Sequence, residues 1–243
     1  MRIIKLNATD STNGYLRRIC SKEGIEDYTV VMAKNQTKGR GQMGTVWNSQ
    51  PSKNLTVSVF KDVSFIDLDS HFFISIVTSL AIIKTLRSFS VPKLSIKWPN
   101  DILSEDQKIC GILIENVIKQ NNLNASIIGI GLNVNQALFK DLPKASSLKL
   151  ITGAFFNLDE VLHEIITHLK YYFLQLKQGN FNELKIEYES FLFRKDKPST
   201  FKDNRGTLFS GFVKTITYSG SLQVLLEDDV LKEFDLKEIT LLY

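Results

Sequence analysis

A chain of 243 residues, 43% apolar and 23% charged, has room for one large domain or a main domain with a small appendage, and its composition excludes extensive disorder. Thirty basic and 26 acidic residues give a net charge of +4. With no long Lys/Arg block, bulk nucleic-acid binding is excluded, while a small basic site for an anionic ligand stays open.

The opening residues MRIIKLNATDSTNGYLRR lack the apolar core and cleavage site of a signal peptide. Apolar runs such as ASIIGIGLNV fall well short of the roughly 18 residues a membrane span needs, so none is expected. Cys20 and Cys110 are too few for a disulfide framework, and His71, His163 and His168 lack metal spacing. Reduced thiols in a cytoplasmic protein are the expectation.

In chain order, residues 2–6 read as a strand. Asp10, Ser11 and Thr12 are N-cap types, and Tyr15, Leu16 and Ile19 follow at helical spacing, which predicts a helix to about residue 22. TVVMAK (29–34) is rich in β-branched residues and reads as a strand. Residues 35–53 are polar and glycine-rich without periodicity, a long loop, and NLTVSVF (54–60) alternates as a half-buried strand does. The segment from about 69 to 89 is a largely apolar helix expected to lie buried against a sheet. Strands are expected at 94–98, stopping before Pro99, and at 108–118 and 125–135 around the turn KQNNLN. Helices follow at 158–178 and about 181–193. From about residue 200 the runs GTLFSGFVKTITY, SLQVLLE, VLKEFDL and EITLLY predict a small β domain. The whole reads as an α+β chain with a catalytic or binding domain at 1–195 and a β domain at 196–243.

Gly39, Gly41 and Gly44 spell G-x-G-x-x-G, a pattern associated with dinucleotide binding. That chemistry needs a helix directly after the glycines, so that its N-terminus meets the pyrophosphate. TVWNSQPSKN follows instead, with a proline, turn formers and then a strand, so the match is accidental. A glycine loop can still turn backbone N–H groups toward an anion. Lys38 and Arg40 add charge, and Trp47 offers a flat surface for a heterocycle.

At a strand end, Lys97-Trp98-Pro99-Asn100-Asp101 gathers a cation for phosphates and two oxygen donors suited to Mg²⁺. Lys108 opens the next strand, and Gly111 within the bulky run ICGILIE, which ends at Glu115, suggests a close approach to the backbone. Gly129 and Gly131 in GIGLNVN repeat the hint, with Asn133 and Asn135 expected on one strand face.

Ser11-Thr12-Asn13, Gln36 with KGRGQMGTVW, KWPND, K-ICGILIE, GIGLNVN and the terminal β domain, in this order, resemble the biotin–protein ligases over nearly the whole chain. The resemblance implies a class II synthetase-like α+β catalytic domain with a mixed sheet, followed by an SH3-like barrel. It implies biotin contacts at Ser11, Thr12, Asn13, Gln36, Gly39, Arg40, Gly41, Gln42, Lys108 and Gly111. The ATP side would involve Arg40, Trp47, Lys97, Asn100 and Asn133, with Asp101 holding Mg²⁺ and Lys108, Arg40 and Asp101 acting in catalysis. Biotin and ATP would give biotinyl-5′-AMP and pyrophosphate, and a lysine of a biotin carboxyl carrier protein of the acetyl-CoA carboxylase type would then take the biotin.

Where many relatives carry GRGR this chain has GRGQ, so Gln42 supplies no charge and retention of the adenylate is expected to be weaker. The motifs begin at Ser11, so the DNA-binding winged helix of some members is not expected. Some members pair through the central sheet, and no edge-strand signal decides between monomer and homodimer. Two alternatives are a non-catalytic biotin or nucleotide sensor, and a lipoate or octanoyl ligase, although the latter usually lack KWPND.

Overall fold

The structure, a computed structural model, describes residues 2–20, 24–140 and 142–243. Its main sheet has seven strands: β1 (Ile3–Thr9), β2 (Val30–Gln36), β3 (Leu55–Asp62), β4 (Leu94–Lys97), β5 (Asp101–Ser104), β6 (Gln107–Lys119) and β7 (Asn122–Leu132). They lie in the order β1-β2-β3-β7-β6-β5-β4, with β1 and β2 parallel and every other pair antiparallel. Between them run α1 (Thr12–Cys20) and α2 (Phe73–Ser88), and after β7 come α3 (Leu148–Thr152), α4 (Leu158–Lys177) and α5 (Phe181–Ser190).

Strand alternation divides the sheet into two unlike faces. Val30, Met32, Val57, Val59, Ile112, Ile128 and Ile130 join the main core, which α2 and α4 cover. Val31 and Ile127 point the other way and meet Leu16 of α1 in a smaller cluster. Helix α1 covers only part of that second face, and the rest is free for a ligand.

Helix α2 buries twelve of its sixteen residues and gives water only a short polar edge near its C-terminal end, Lys84, Arg87 and Ser88. Leu68–Ser88 is long and apolar enough to cross a membrane by length and composition, but here the sheet, α4 and α5 enclose α2. Helix α4 buries Val161, Leu162, Ile165, Ile166, Leu169, Tyr172, Phe173 and Leu176, a stripe at helical spacing. It starts where the Asn157 side chain accepts from the N–H groups of Asp159 and Glu160, and those two carboxylates complement the helix dipole.

Strands β8 (Pro198–Asp203), β9 (Leu208–Ile216), β10 (Leu222–Leu226), β11 (Leu231–Phe234) and β12 (Ile239–Leu242) form a second, antiparallel sheet in the order β11-β10-β9-β8-β12, consistent with an SH3-like domain. It is fastened to the main body at named points. Gly220 has φ +98° and lies against the ring of Phe72, where a Cβ would overlap the ring, and its carbonyl accepts from Trp98 Nε1 at 2.9 Å. Glu189 of α5, 9% exposed, accepts from Lys185 Nζ at 2.6 Å, from the Ile216 N–H at 3.1 Å and from the Thr215 hydroxyl.

The structure departs from the sequence expectations in several places. Strand β5 follows β4 after three residues, too close for pattern reading to separate, and α3 is too short to show a period. Strand β8 begins at a proline and was not anticipated as a separate strand. Strand β7 ends at Leu132, so Asn133 and Asn135 do not share a strand face. Each is instead buried on a carbonyl: Asn133 Nδ2 donates to Ser146 at 3.0 Å, and Asn135 Nδ2 to Phe156 at 2.8 Å. Helix α1 is described to Cys20, and its expected last residues, 21 and 22, lie outside the described residues.

Burial alone would raise the Glu189 pKa, but the three hydrogen bonds outweigh it and hold the carboxyl below its ordinary 4.5. Its stabilisation is therefore complete above the unfolded value and is lost as pH falls through the lower folded one. Glu189→Gln should lower unfolding free energy by about 2 kcal/mol at neutral pH. In urea denaturation the gap between variant and wild type should close below pH 4.5.

Candidate active site

A row of directly opposed residues crosses five strands of the uncovered face: Thr56 faces Gly131, Gly131 faces Gly111, Gly111 faces Asp101, and Asp101 faces Lys97. A parallel row pairs Ser58 with Gly129 and Gly129 with Leu113. Three glycines in adjacent strands thus leave a floor without side chains, flanked by hydroxyls at one end and charges at the other. Above it lies a cavity of about 500 Å³, within the usual range for small-molecule sites. Its walls come from α1, the 40–47 loop, β3–β7 and, on the far side, Phe201 and Thr240 of the second sheet with Leu236 and Lys237 from the β11–β12 connection.

Lys108 reaches this face through an irregularity. Counting alternate residues back from Gly111 would place it with Cys110 and Ile112, on the helix-covered side. The β5–β6 register shifts between Ile102 and Leu103, so that Ile102 opposes Cys110 while Leu103 opposes Lys108. The extra residue, Ile109, goes into the core and re-aims Lys108. Its Nζ lies 2.7 Å from Asp101 Oδ1, as a charge pair rather than an aligned hydrogen bond. Asn100 spends its Nδ2 on the Ile112 carbonyl at 2.8 Å, which leaves its oxygen free of that bond.

Lys97 stands with its Nζ 4.4 Å from the centroid of the Tyr243 ring. Burial lowers its pKa and the nearby Lys108 and Lys144 add to the effect, against an opposing contribution from Asp101. The donor set fits a magnesium ion only in part. Asp101 and the Asn100 oxygen can contribute, and among the described residues no cluster of three His, Cys, Asp or Glu could hold a metal unaided. Phosphate oxygens would have to complete the shell.

At the opposite end, Gln36 Oε1 accepts from the Thr12 N–H at 2.8 Å and lies 3.0 Å from Thr12 Oγ1. Ser58 Oγ lies 2.7 Å from Thr12 Oγ1 and 2.5 Å from Asn13 Oδ1. Three oxygen–oxygen contacts share only two hydroxyl hydrogens, so this network is one hydrogen short. The network is therefore rich in acceptor lone pairs, to which a ligand N–H could donate. Ser11 fixes the start of α1 beside it, its Oγ accepting from the Gly14 N–H at 3.4 Å.

The loop expected to be irregular is a small hairpin. Arg40 and Val46 bridge, the Gly41 N–H donates to the Thr45 carbonyl at 2.7 Å, and a 3₁₀ turn at Gln42–Gly44 forms the tip. The Trp47 N–H donates to the Gly39 carbonyl at 3.0 Å, which lays the indole on the glycine floor. A Cβ at Gly131 would overlap the indole, and one at Gly111 would stand 3.1 Å from Cζ3. Trp47 Nε1 is buried with no partner among the described residues.

Of the residues singled out in the sequence, Ser11, Thr12, Asn13, Gln36, Arg40, Gly41, Gln42, Trp47, Lys97, Asn100, Asp101, Lys108 and Gly111 all line the cavity. Gly39 and Asn133 do not. Gly39 is packed against the Trp47 carbonyl, where a Cβ would overlap, and Asn133 is bonded within the loop after β7. Thr56, Ser58 and Trp98 also belong to the site and were not singled out as site residues. For the first two the signal was present: in NLTVSVF the polar residues occupy one face of the strand.

Residues 6–133, more than half of the chain, match the Biotin/lipoate A/B protein ligase family. The chain is 30% identical over 190 residues to the bifunctional ligase/repressor BirA of Bacillus subtilis, covering 76% of this chain and 57% of that protein. It is 29% identical over 185 residues to the biotin–[acetyl-CoA-carboxylase] ligase of Mycobacterium tuberculosis, covering 75% and 67%. The biotin protein ligase of Aquifex aeolicus, solved in complex with biotin and ATP, superposes with a TM-score of 0.82 at 27% identity over 99% of this chain and 98% of that one.

The seat of Trp47 can be tested in a Trp98→Phe background, where Trp47 is the only tryptophan left. Gly131→Ala should expel the indole and shift its emission to the red, at an overpacking cost of about 1–3 kcal/mol in stability. Unchanged emission would mean that the ring does not rest on the glycine floor.

Proposed function

The chain belongs to the biotin/lipoate A/B protein ligase family, and we propose that it is a biotin–protein ligase that activates biotin with ATP and transfers it to a lysine of a biotin carboxyl carrier protein. The observation that carries this reading is the bare glycine floor between a donor-poor amide and hydroxyl network and a charged end built on Lys108 and Asp101. Such a slot suits a flat bicyclic ligand with N–H donors at one end and a carboxylate at the other. The likeness to a protein solved with biotin and ATP supports the same assignment.

The chemistry follows from the charges. A carboxylate and a triphosphate repel each other, and catalysis must offset that repulsion and hold the two in line. Lys108 would neutralise the biotin carboxylate as its oxygen attacks the α-phosphorus, with biotinyl-5′-AMP forming as pyrophosphate leaves. Asp101 holds the Lys108 ammonium in place, and Arg40 can grip a phosphate oxygen with its planar fork. Lys97, Asn100 and Asp101 would lie along the phosphates, and a Mg²⁺ held by Asp101 and the Asn100 oxygen would supply further neutralisation there. The acceptor lysine, as a free amine, then attacks the acyl carbon and AMP departs. Residues 1–195 would carry this chemistry, and 196–243 would close the far wall over the nucleotide.

Incubation with biotin, ATP, Mg²⁺ and a carrier domain should label the acceptor lysine. Lys108→Ala should cut the rate about a hundredfold, a loss of about 3 kcal/mol in transition-state stabilisation. Biotin binding without labelling would favour a sensor, and labelling with lipoate or octanoate instead would reassign the substrate.

Gln42 lies at the lid tip, where its carbonyl accepts from Thr45 Oγ1 at 2.7 Å. An uncharged side chain there leaves Lys38 and Arg40 as the lid's cations. Gln42→Arg should therefore slow the release of biotinyl-5′-AMP, measured by trapping the free adenylate. An unchanged release rate would show that position 42 does not hold the intermediate.

A further inference from the structure

Glu115 is a carboxylate that the chemistry above does not use. It stands on the ligand face of β6, two residues beyond Leu113 and four beyond Gly111, with its side chain only 19% exposed. Three groups from two other segments converge on it. Asn13 Nδ2 donates to Oε2 at 2.8 Å, and Arg40 NH2 lies 3.4 Å from the same oxygen. Arg17 NH2 lies 3.6 Å from Oε1. One carboxylate thereby joins the sheet, the first turn of α1 and the lid.

Both arginines are about half exposed, and ion pairs with such partners contribute little to stability. What the contact does supply is direction. Arg40 is carried on a short hairpin tipped by a 3₁₀ turn, and among the described residues Glu115 is its ion-pair partner. With NH2 turned to Glu115, the other edge of the guanidinium is left for a ligand oxygen. Asn13, on the same Glu115 oxygen, reaches through Ser58 and Thr12 to Gln36. The network at one end of the cavity therefore ends on the carboxylate that holds the lid arginine.

We propose that Glu115 is a positioning residue, which docks Arg40 and the lid hairpin at the rim of the cavity and orients the guanidinium toward the reacting phosphate. The part concerning phosphate rests on the biotin-ligase reading; the docking of the lid does not.

Glu115→Gln separates the charge from the shape, since the amide oxygen can still accept from Asn13. Two measurements test the two parts. Trypsin cuts after Lys38 and Arg40, and in Glu115→Gln the freed lid should be cut about tenfold faster at an unchanged melting temperature. Equal cutting rates would overturn the docking whether or not the protein ligates biotin. For the orienting role, Glu115→Gln should lower the rate of biotinyl-5′-AMP formation about tenfold, while the biotin Kd stays within about threefold. In an Arg40→Ala background the same substitution should have no further effect, because a residue acting through Arg40 has nothing left to orient. The same fractional loss in both backgrounds would overturn that role. A wild-type protein that makes no biotinyl-5′-AMP would instead sink the biotin-ligase reading and with it the orienting role, leaving the docking to be judged by proteolysis alone.

Discussion

Side chains on a β-strand point alternately to opposite faces, and everything in this site depends on how β7 and β6 use that alternation. In β7, Ile128 and Ile130 go into the helix-covered core while Gly129 and Gly131 face the cavity. In β6, Cys110 and Ile112 are core and Gly111 is floor. The same residues must pack a sheet on one side and leave it bare on the other, so isoleucine and glycine alternate. A sheet without side chains on one face loses packing there. The Trp47 indole recovers some of it by resting on Gly111 and Gly131.

The second sheet depends on the first through a few contacts at the cavity's edge. The Trp98 indole lines the cavity and also donates to the Gly220 carbonyl, so the strand end that carries the charged residues is tied to the β9–β10 turn. Tyr243 stands edge-on to Phe193, and the ammonium groups of Lys97 and Lys144 both lie within 5 Å of its ring centroid, at 4.4 and 4.9 Å. Motion of the small sheet would therefore be felt directly at Lys97. The Glu189 junction on α5 holds the end of β9, next to the same turn, against the helices.

Much of this was legible because the chemistry is written in local patterns. The glycines of ICGILIE and GIGLNVN weaken strands that are otherwise strongly β-forming, and that conflict points to a ligand face. The rejected dinucleotide fingerprint was also a local matter, since no helix follows Gly44. Other features exist only in register. The bulge that turns Lys108 into the site depends on how β5 pairs with β6, and β5 itself could not be separated from the Pro99 stop. Asn133 could be placed on a strand face only by extending β7 past Leu132, where the chain in fact leaves the sheet. Glu115 belonged to a recognised motif, but its partners Asn13 and Arg40 lie 102 and 75 residues away in sequence, beyond the reach of any spacing argument.

The charges on the ligand face are paired so that they do not repel one another. Lys108 rests on Asp101 and Arg40 rests on Glu115, so two of the cations facing the cavity are held by carboxylates at opposite ends of one sheet face. Fixed partners keep these groups oriented before any ligand arrives, which is how preorganised electrostatics lowers a barrier without reorganisation at the moment of reaction. Lys97 is different. Among the described residues no carboxylate lies within ion-pair distance of it; it faces the Tyr243 ring, and burial depresses its pKa, with Asp101 opposing the effect and two neighbouring lysines adding to it. A half-buried cation in that setting is stabilised by an anion placed next to it. Lys97 thus sits where the β4–β5 turn meets the second sheet, at the end of the cavity proposed above to receive phosphates.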